Sequence, residues 1–222
     1  YIAIQCQEEK REMRWLILLM LTAMLQPLTA RAEGEQAGDF VYYVLSLSWS
    51  PNYCAAEAKN DHPQSDRAIG WEKHGLWTQY EDGWPSYCRT SARNPSSRES
   101  DTMADIMGSG GSAWYQWKKH GRCTGLDPAD YFALARLAYD AVVRPPVLRN
   151  LDRSVTLPAT LIEEAFLTSN PGWTPDMLTI TCKTGRIQEA RLCLTRDLQP
   201  RVCGDDVVRD CTMPNALLDP IR

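Results

Sequence analysis

Trp114-Tyr115-Gln116-Trp117-Lys118-Lys119-His120-Gly121-Arg122-Cys123 is the stretch from which the rest of the chain can be read. It gathers a side-chain amide, a lysine pair and a histidine within little more than one helical turn. Read as a helix, it sets Gln116 and His120 at i and i+4, with Lys119 three beyond Gln116, so the three share one side. Gly121 supplies a stop at the C-terminal end. A second histidine lies about 45 residues upstream, in Lys73-His74-Gly75-Leu76-Trp77. Histidines beside a lysine, with no serine nucleophile motif nearby, point to acid–base chemistry on a phosphate ester.

Around these segments the chain reads as a mixture of strands and helices. Phe40 to Ser48 is rich in aromatic and β-branched residues and predicts a buried strand. Glu72 and Lys73 do not suit a fully buried strand, so the entry to His74 is expected at a sheet edge or remodelled. Ser91 to Ser100 reads as a polar, disordered loop, and Ser100 or Asp101 as the cap of a short helix to Met107, which Gly108 to Gly111 break. Asp127 and Pro128 open the next helix and Pro145-Pro146 end it. Pro158 to Leu167 is a further helix, closed by Asn170-Pro171-Gly172. Met177 to Cys182 and Arg186 to Leu194 flank Lys183-Thr184-Gly185 as a hairpin, and the tail from Gln199 reads as irregular. Strands and helices do not alternate as βαβ units. The expected fold class is therefore α+β, a central antiparallel sheet packed by several helices.

The two histidine segments resemble those of the ribonuclease T(2) family. The first reads His-Gly-Leu-Trp there, His74 to Trp77 here. The second reads Glu-Trp-x-Lys-His-Gly-x-Cys, against Gln116 to Cys123. The wider stretch from Tyr43 to about Cys211 is similar to bacterial members, including Leu47 to Cys54 and Gly83 to Cys88. Two positions depart from the pattern: Gln116 stands where the family has glutamate, and Thr78 where it usually has proline.

The resemblance implies an endoribonuclease that cleaves single-stranded RNA with low base specificity, using no cofactor and no metal. It assigns His120 as general base, His74 as general acid and Lys119 as the cation at the phosphate, with Gln116 in the glutamate position. The 2′-hydroxyl attacks its own phosphate to give a 2′,3′-cyclic phosphate and then a 3′-phosphate, so DNA cannot react this way. Imidazoles suit the proton transfers because their unperturbed pKa is about 6.5. Trp77 is expected to stack on a base, with Gln79 and Tyr80 assisting. The resemblance also pairs Cys88 with Cys123, Cys182 with Cys211 and Cys193 with Cys203, leaving Cys54 as a free thiol.

Lys10, Arg11 and Arg14, an apolar run from Trp15 to Leu25 and Ala30-Arg31-Ala32 follow the order of a secretory signal. Residues 1–32 are read as that signal and its upstream residues, with Met13 as the start, and 33–222 as one catalytic domain. The run is too short for an ordinary membrane span. Cys6 falls within residues 1–32, and seven of the eight cysteines remain for a chain expected in a periplasm or outside the cell, where disulfides persist. The chain carries a formal charge of −4, and residues 1–32 hold four basic and three acidic side chains, so 33–222 carry −5. An acidic whole gives no long-range attraction to a polyanion; RNA binding must rest on a local basic site and base stacking. The domain is expected to act as a monomer with no membrane partner.

Rival readings exist for most of these residues. Trp114 and Trp117 fit core packing, Lys118 a solvated charge and His62 a polar loop. Glu72 is a candidate substitute for the missing carboxylate, though exposure beside Lys73 is its usual role. Cys123 near His120 could be a cysteine nucleophile, but a disulfide accounts for it better. A zinc site is poorly supported by three scattered histidines without Cys-x-x-Cys. The rival function is a secreted RNA- or protein-binding module that has kept the scaffold.

Overall fold

The strand expected from Phe40 is β1 (Tyr42–Trp49), and it runs through the centre of the molecule with both faces covered. Tyr43, Leu45, Leu47 and Trp49 enter the main core. Tyr42 and Val44 point the other way, into a smaller cluster with Cys193 and Val207. The structure, a computed structural model, describes residues 35–57 and 70–221, all within the unit Glu33–Arg222. The signal-like segment with Met13 and Cys6, and the loop bearing His62, lie outside the described residues.

β1 is followed by α1 (Ser50–Glu57) and β2 (Trp71–Gln79). Two short helices, α2 (Ser97–Asp101) and α3 (Ala104–Met107), lead to α4 (Gly110–Lys119). Then come α5 (Pro128–Ala141), β3 (Val155–Leu157), α6 (Ala159–Ser169), β4 (Leu178–Lys183), β5 (Arg186–Leu194) and β6 (Ala216–Leu218). The sheet runs β2-β1-β5-β6-β3, with β4 also paired to β5. Pairing is antiparallel apart from the parallel bridge between Arg186 and Leu217. The α+β class stands. In the β4–β5 turn, Thr184 and Gly185 have φ of 52° and 81°, the two left-handed positions that a tight hairpin matching strand twist requires.

Helices α5 and α6 bury Phe132, Ala135, Ile162 and Phe166 in the main core, where Trp71 meets Trp49 and Phe166 edge-on at 5.1 and 5.3 Å. Burial of side chains this large contributes roughly 2–3 kcal/mol each. The Tyr131 hydroxyl donates to the Leu76 carbonyl at 3.0 Å and ties α5 to β2.

Several local expectations change. The helix expected from Ser100 or Asp101 to Met107 is two: α3, with Met103 at its N-cap and no side-chain cap, and before it α2, capped by Ser96, where the Glu99 carboxylate at N3 accepts from the Ser96 N–H and completes a capping box. Arg93 pairs with Glu99, so this end of the Ser91–Ser100 segment is ordered. Gly110 and Gly111 do not break a helix but open α4, capped by the Ser109 side chain; the break is Gly108, with φ 76°. Trp117 is buried as expected, whereas Trp114 is 38% exposed with the Lys118 ammonium over its ring. Helix α1 and strands β3 and β6 were not foreseen. The disulfides Cys88–Cys123, Cys182–Cys211 and Cys193–Cys203 are all present, and Cys54 is free.

Candidate active site

Strand β2 pairs Gly75 with Ser46 and Lys73 with Leu47, so His74 is the extra residue of a β-bulge. A bulge re-aims one side chain and inverts the alternation after it. Lys73 therefore shares a face with Leu47 and enters the main core, while Glu72 sits opposite Ser48 on the other face. Both are buried, at 1% and 3% exposure, which corrects the expectations that the pair does not suit a buried strand and that Glu72 is exposed. β2 is indeed an edge strand, but α3 and α4 pack against it, and Lys73 Nζ lies 3.7 Å from Met107 Sδ.

The His74 side chain keeps 43% exposure, and its Nδ1 is 2.6 Å from Glu189 Oε1. Glu189, on β5, is 4% exposed at its side chain, and its second oxygen accepts from Arg191 Nε at 3.0 Å and forms an ion pair with Nη2 at 2.9 Å. Glu189 was not among the expected site residues. The signal available was a Glu and an Arg two apart in a strand otherwise read as buried, placing both on one face.

From the other side, α4 delivers Gln116 and His120 together, as the i, i+4 spacing requires. Gln116 is buried, and its Oε1 accepts from Trp77 Nε1 at 2.8 Å. A Cβ on Gly75 would land on that hydrogen bond, which is why glycine follows His74. His120 caps α4 and is 5% exposed. Gly121 does not stop the helix through a left-handed turn. It opens a 3-10 turn (Gly121–Thr124), and its missing side chain admits the rings of Tyr131 and Trp117. Cys123, in the same turn, is bonded to Cys88, which removes the thiolate nucleophile from consideration. The Tyr87 N–H donates to the Lys119 carbonyl at 2.8 Å and further fixes the end of α4.

The Trp77 ring centroid lies 5.3 Å from each imidazole centroid, with the Arg191 guanidinium 5.5 Å from the same ring. Lys119, half-buried, has no ion pair among the described residues. Burial, and then the charges of Lys119, His74 and Lys73, push the His120 imidazole down to about 3. Burial and the Arg136 charge push the Lys73 ammonium down to about 7. Burial works to raise the Glu189 carboxyl, but His74 and Arg191 outweigh it and leave Glu189 below its ordinary value. The site thus holds a neutral imidazole, a carboxylate-paired imidazole and a lysine cation.

A cavity of about 620 Å³ opens beside His74, with Gln116 and Glu189 in its wall and Tyr53 and Tyr115 among its aromatic lining. Gln79 is buried at the end of β2 and Tyr80 follows it, half-buried; neither lines this cavity.

The ribonuclease T2 family model matches residues 40–203, which contain both histidine segments, Glu189 and Arg191. A ribonuclease of Aeromonas hydrophila is 38% identical over 122 residues, 54% of this chain and 55% of that protein. The chain thus spans little more than half the length of such curated relatives. An RNase-related protein from Calystegia sepium superposes with a TM-score of 0.63 at 19% identity, over 81% of this chain and 96% of that one. RNase NT in complex with 5′-AMP gives 0.52 at 21% identity, over 78% and 98%. At these identities the two structures bear on the fold alone. With the family model spanning most of the sheet and both histidine segments, the chain belongs to the ribonuclease T2 family.

Proposed function

We propose that the chain is an exported endoribonuclease that cleaves single-stranded RNA with low base specificity through a 2′,3′-cyclic phosphate to 3′-phosphate ends. The observation that carries this reading is the contrast between the two imidazoles that neighbour Trp77. His120, desolvated and ringed by cations, stays neutral and can take the 2′-hydroxyl proton. His74, half-exposed and bonded through Nδ1 to a carboxylate, offers Nε2 to protonate the departing 5′-oxygen. Lys119 supplies positive charge to the phosphorane. Gln116 has its oxygen engaged by Trp77, so its remaining polarity is the amide donor, suited to a phosphate oxygen. The proton transfers require neither a metal nor a protein nucleophile, and DNA lacks the hydroxyl that reacts.

Trp77, with Tyr80 just beyond the end of the same strand, serves the bases, and Tyr53 and Tyr115 line the cavity, whereas Gln79, at 3% exposure, presents no surface to a base. Base–aromatic stacking contributes roughly 1–3 kcal/mol and tolerates any base. The three disulfides support an oxidising compartment, periplasmic or extracellular. The domain, 33–222, works as a monomer.

The test is cleavage of single-stranded RNA with chelator present from about pH 4 to 8, comparing wild type with His120→Ala. Cyclic-phosphate ends that form in chelator and vanish in the variant are expected. No cleavage by a folded wild type with its disulfides formed would favour a binding module on the same scaffold.

A further inference from the structure

We propose that Glu189 is a positioning residue for His74, anchored by Arg191, and that it supplies from the sheet the carboxylate that Gln116 does not supply from the helix. The proposal rests on the ribonuclease reading above for its kinetic consequence, though not for its geometry.

The sheet is built to allow this contact. His74 is on β2 and Glu189 on β5, with β1 between them. Neighbouring strands lie about 4.8 Å apart, so the two side chains must meet above β1 across roughly 10 Å. The β1 residues beneath that contact are Ser46 and Ser48, which pair with Arg191 and Glu189. Larger side chains there would fill the space. On β2, the bulge at His74 supplies the change of direction. Two small residues, one bulge and one buried carboxylate thus converge on a single hydrogen bond of 2.6 Å.

Arg191 gives the pair its polarity. Its Nε and Nη2 both hold Oε2, which leaves Oε1 for the His74 ring. A buried carboxylate without partners is strongly disfavoured, and here both oxygens are satisfied. With Nδ1–H donated to Glu189, Nε2 is the ring atom directed away from the sheet. When the Nε2 proton passes to the 5′-oxygen of the leaving nucleotide, that oxygen becomes a hydroxyl. The imidazole left behind keeps its Nδ1–H on Glu189 and needs no tautomer change before it is reprotonated.

The experiment compares wild type, Glu189→Gln and Glu189→Asp as full-length, disulfide-bonded protein. Two readouts are used: steady-state kinetics on single-stranded RNA, and the 15N ring signals of His74, assigned through His74→Gln. In Glu189→Gln the amide oxygen stays with Arg191 and the NH2 faces Nδ1, so the neutral ring must carry its proton on Nε2. We expect kcat to fall on the order of 10²-fold with KM within about 2-fold, and the Nδ1–H signature of wild type to become Nε2–H. Glu189→Asp should keep the Nδ1–H signature and recover part of kcat.

A Glu189→Gln protein with unchanged kcat and an unchanged His74 signature, altered only in Tm, would overturn the proposal and leave a structural ion pair. The wild-type spectrum alone decides if Glu189→Gln does not fold: a neutral His74 protonated on Nε2 is incompatible with the proposal. A wild type that shows the Nδ1–H signature yet cleaves no RNA would refute the ribonuclease reading and leave the positioning role standing.

Discussion

His74 and His120 lie at equal distance from the same indole, yet their surroundings are opposite. His74 leaves a strand bulge, is 43% exposed at its side chain and has a carboxylate on Nδ1. His120 closes a helix, is 5% exposed, and its Nδ1 has no hydrogen-bond partner among the described residues. Its nearest charges are cationic, from Lys119, His74 and Lys73. Two identical side chains can divide acid and base work only if their surroundings differ. Strand and helix end provide that difference: the sheet brings His74 a carboxylate from β5, whereas the helix end gives His120 burial and the neighbouring Lys119.

The largest expected effect comes from removing either imidazole. His120→Ala should lower kcat on the order of 10³-fold with little change in KM, measured by initial rates on single-stranded RNA. His74→Ala should do comparable damage, and the double variant should lose far less than the product of the two, because both act in one step. Multiplicative losses would mean that the imidazoles do not work as a pair.

Lys73 tests the cationic side of the contrast. Its ammonium, at about 7 in the fold against about 10.4 unfolded, is held more weakly protonated by the folded state. The unfolded chain binds more protons between those values, so this residue's destabilisation is complete below about pH 7 and fades as pH rises toward 10.4. Lys73→Met should therefore raise stability by roughly a few kcal/mol at pH 6 and by almost nothing at pH 10.5, read from urea unfolding. It also removes a charge beside His120, so the acid limb of the pH–rate profile should move to higher pH. An unmoved limb would detach Lys73 from the site.

Gln116→Glu sharpens the same point from the helix. The carboxylate keeps an oxygen for Trp77 but adds negative charge near His120, raising the pH of the acid limb by about one unit. Superimposable wild-type and variant profiles would contradict this. Gly75→Ala should cost roughly 1–3 kcal/mol, because its Cβ overlaps the Trp77–Gln116 hydrogen bond; thermal melting would show it. The smallest effect is expected at Cys54. Cys54→Ser should leave cleavage unchanged while removing the free thiol titrated in residues 33–222.

Much of this molecule is written in short-range pattern. The β4–β5 hairpin, the Asp127 cap of α5 and the shared face of Gln116 and His120 follow from turn chemistry and helical periodicity. These depend on residues a few positions apart, where chain geometry leaves little choice. The two histidine segments and the disulfide pairs were legible too, through likeness to a family rather than through spacing. Only the tertiary structure decided the contact between His74 and Glu189, separated by 115 positions, because it depends on β1 lying between β2 and β5. It also decided the burial of Lys73. A bulge at His74 exchanges the two faces of β2, and a register shift of one residue is set by pairing with Leu47 and Ser46, not by any residue within β2 itself.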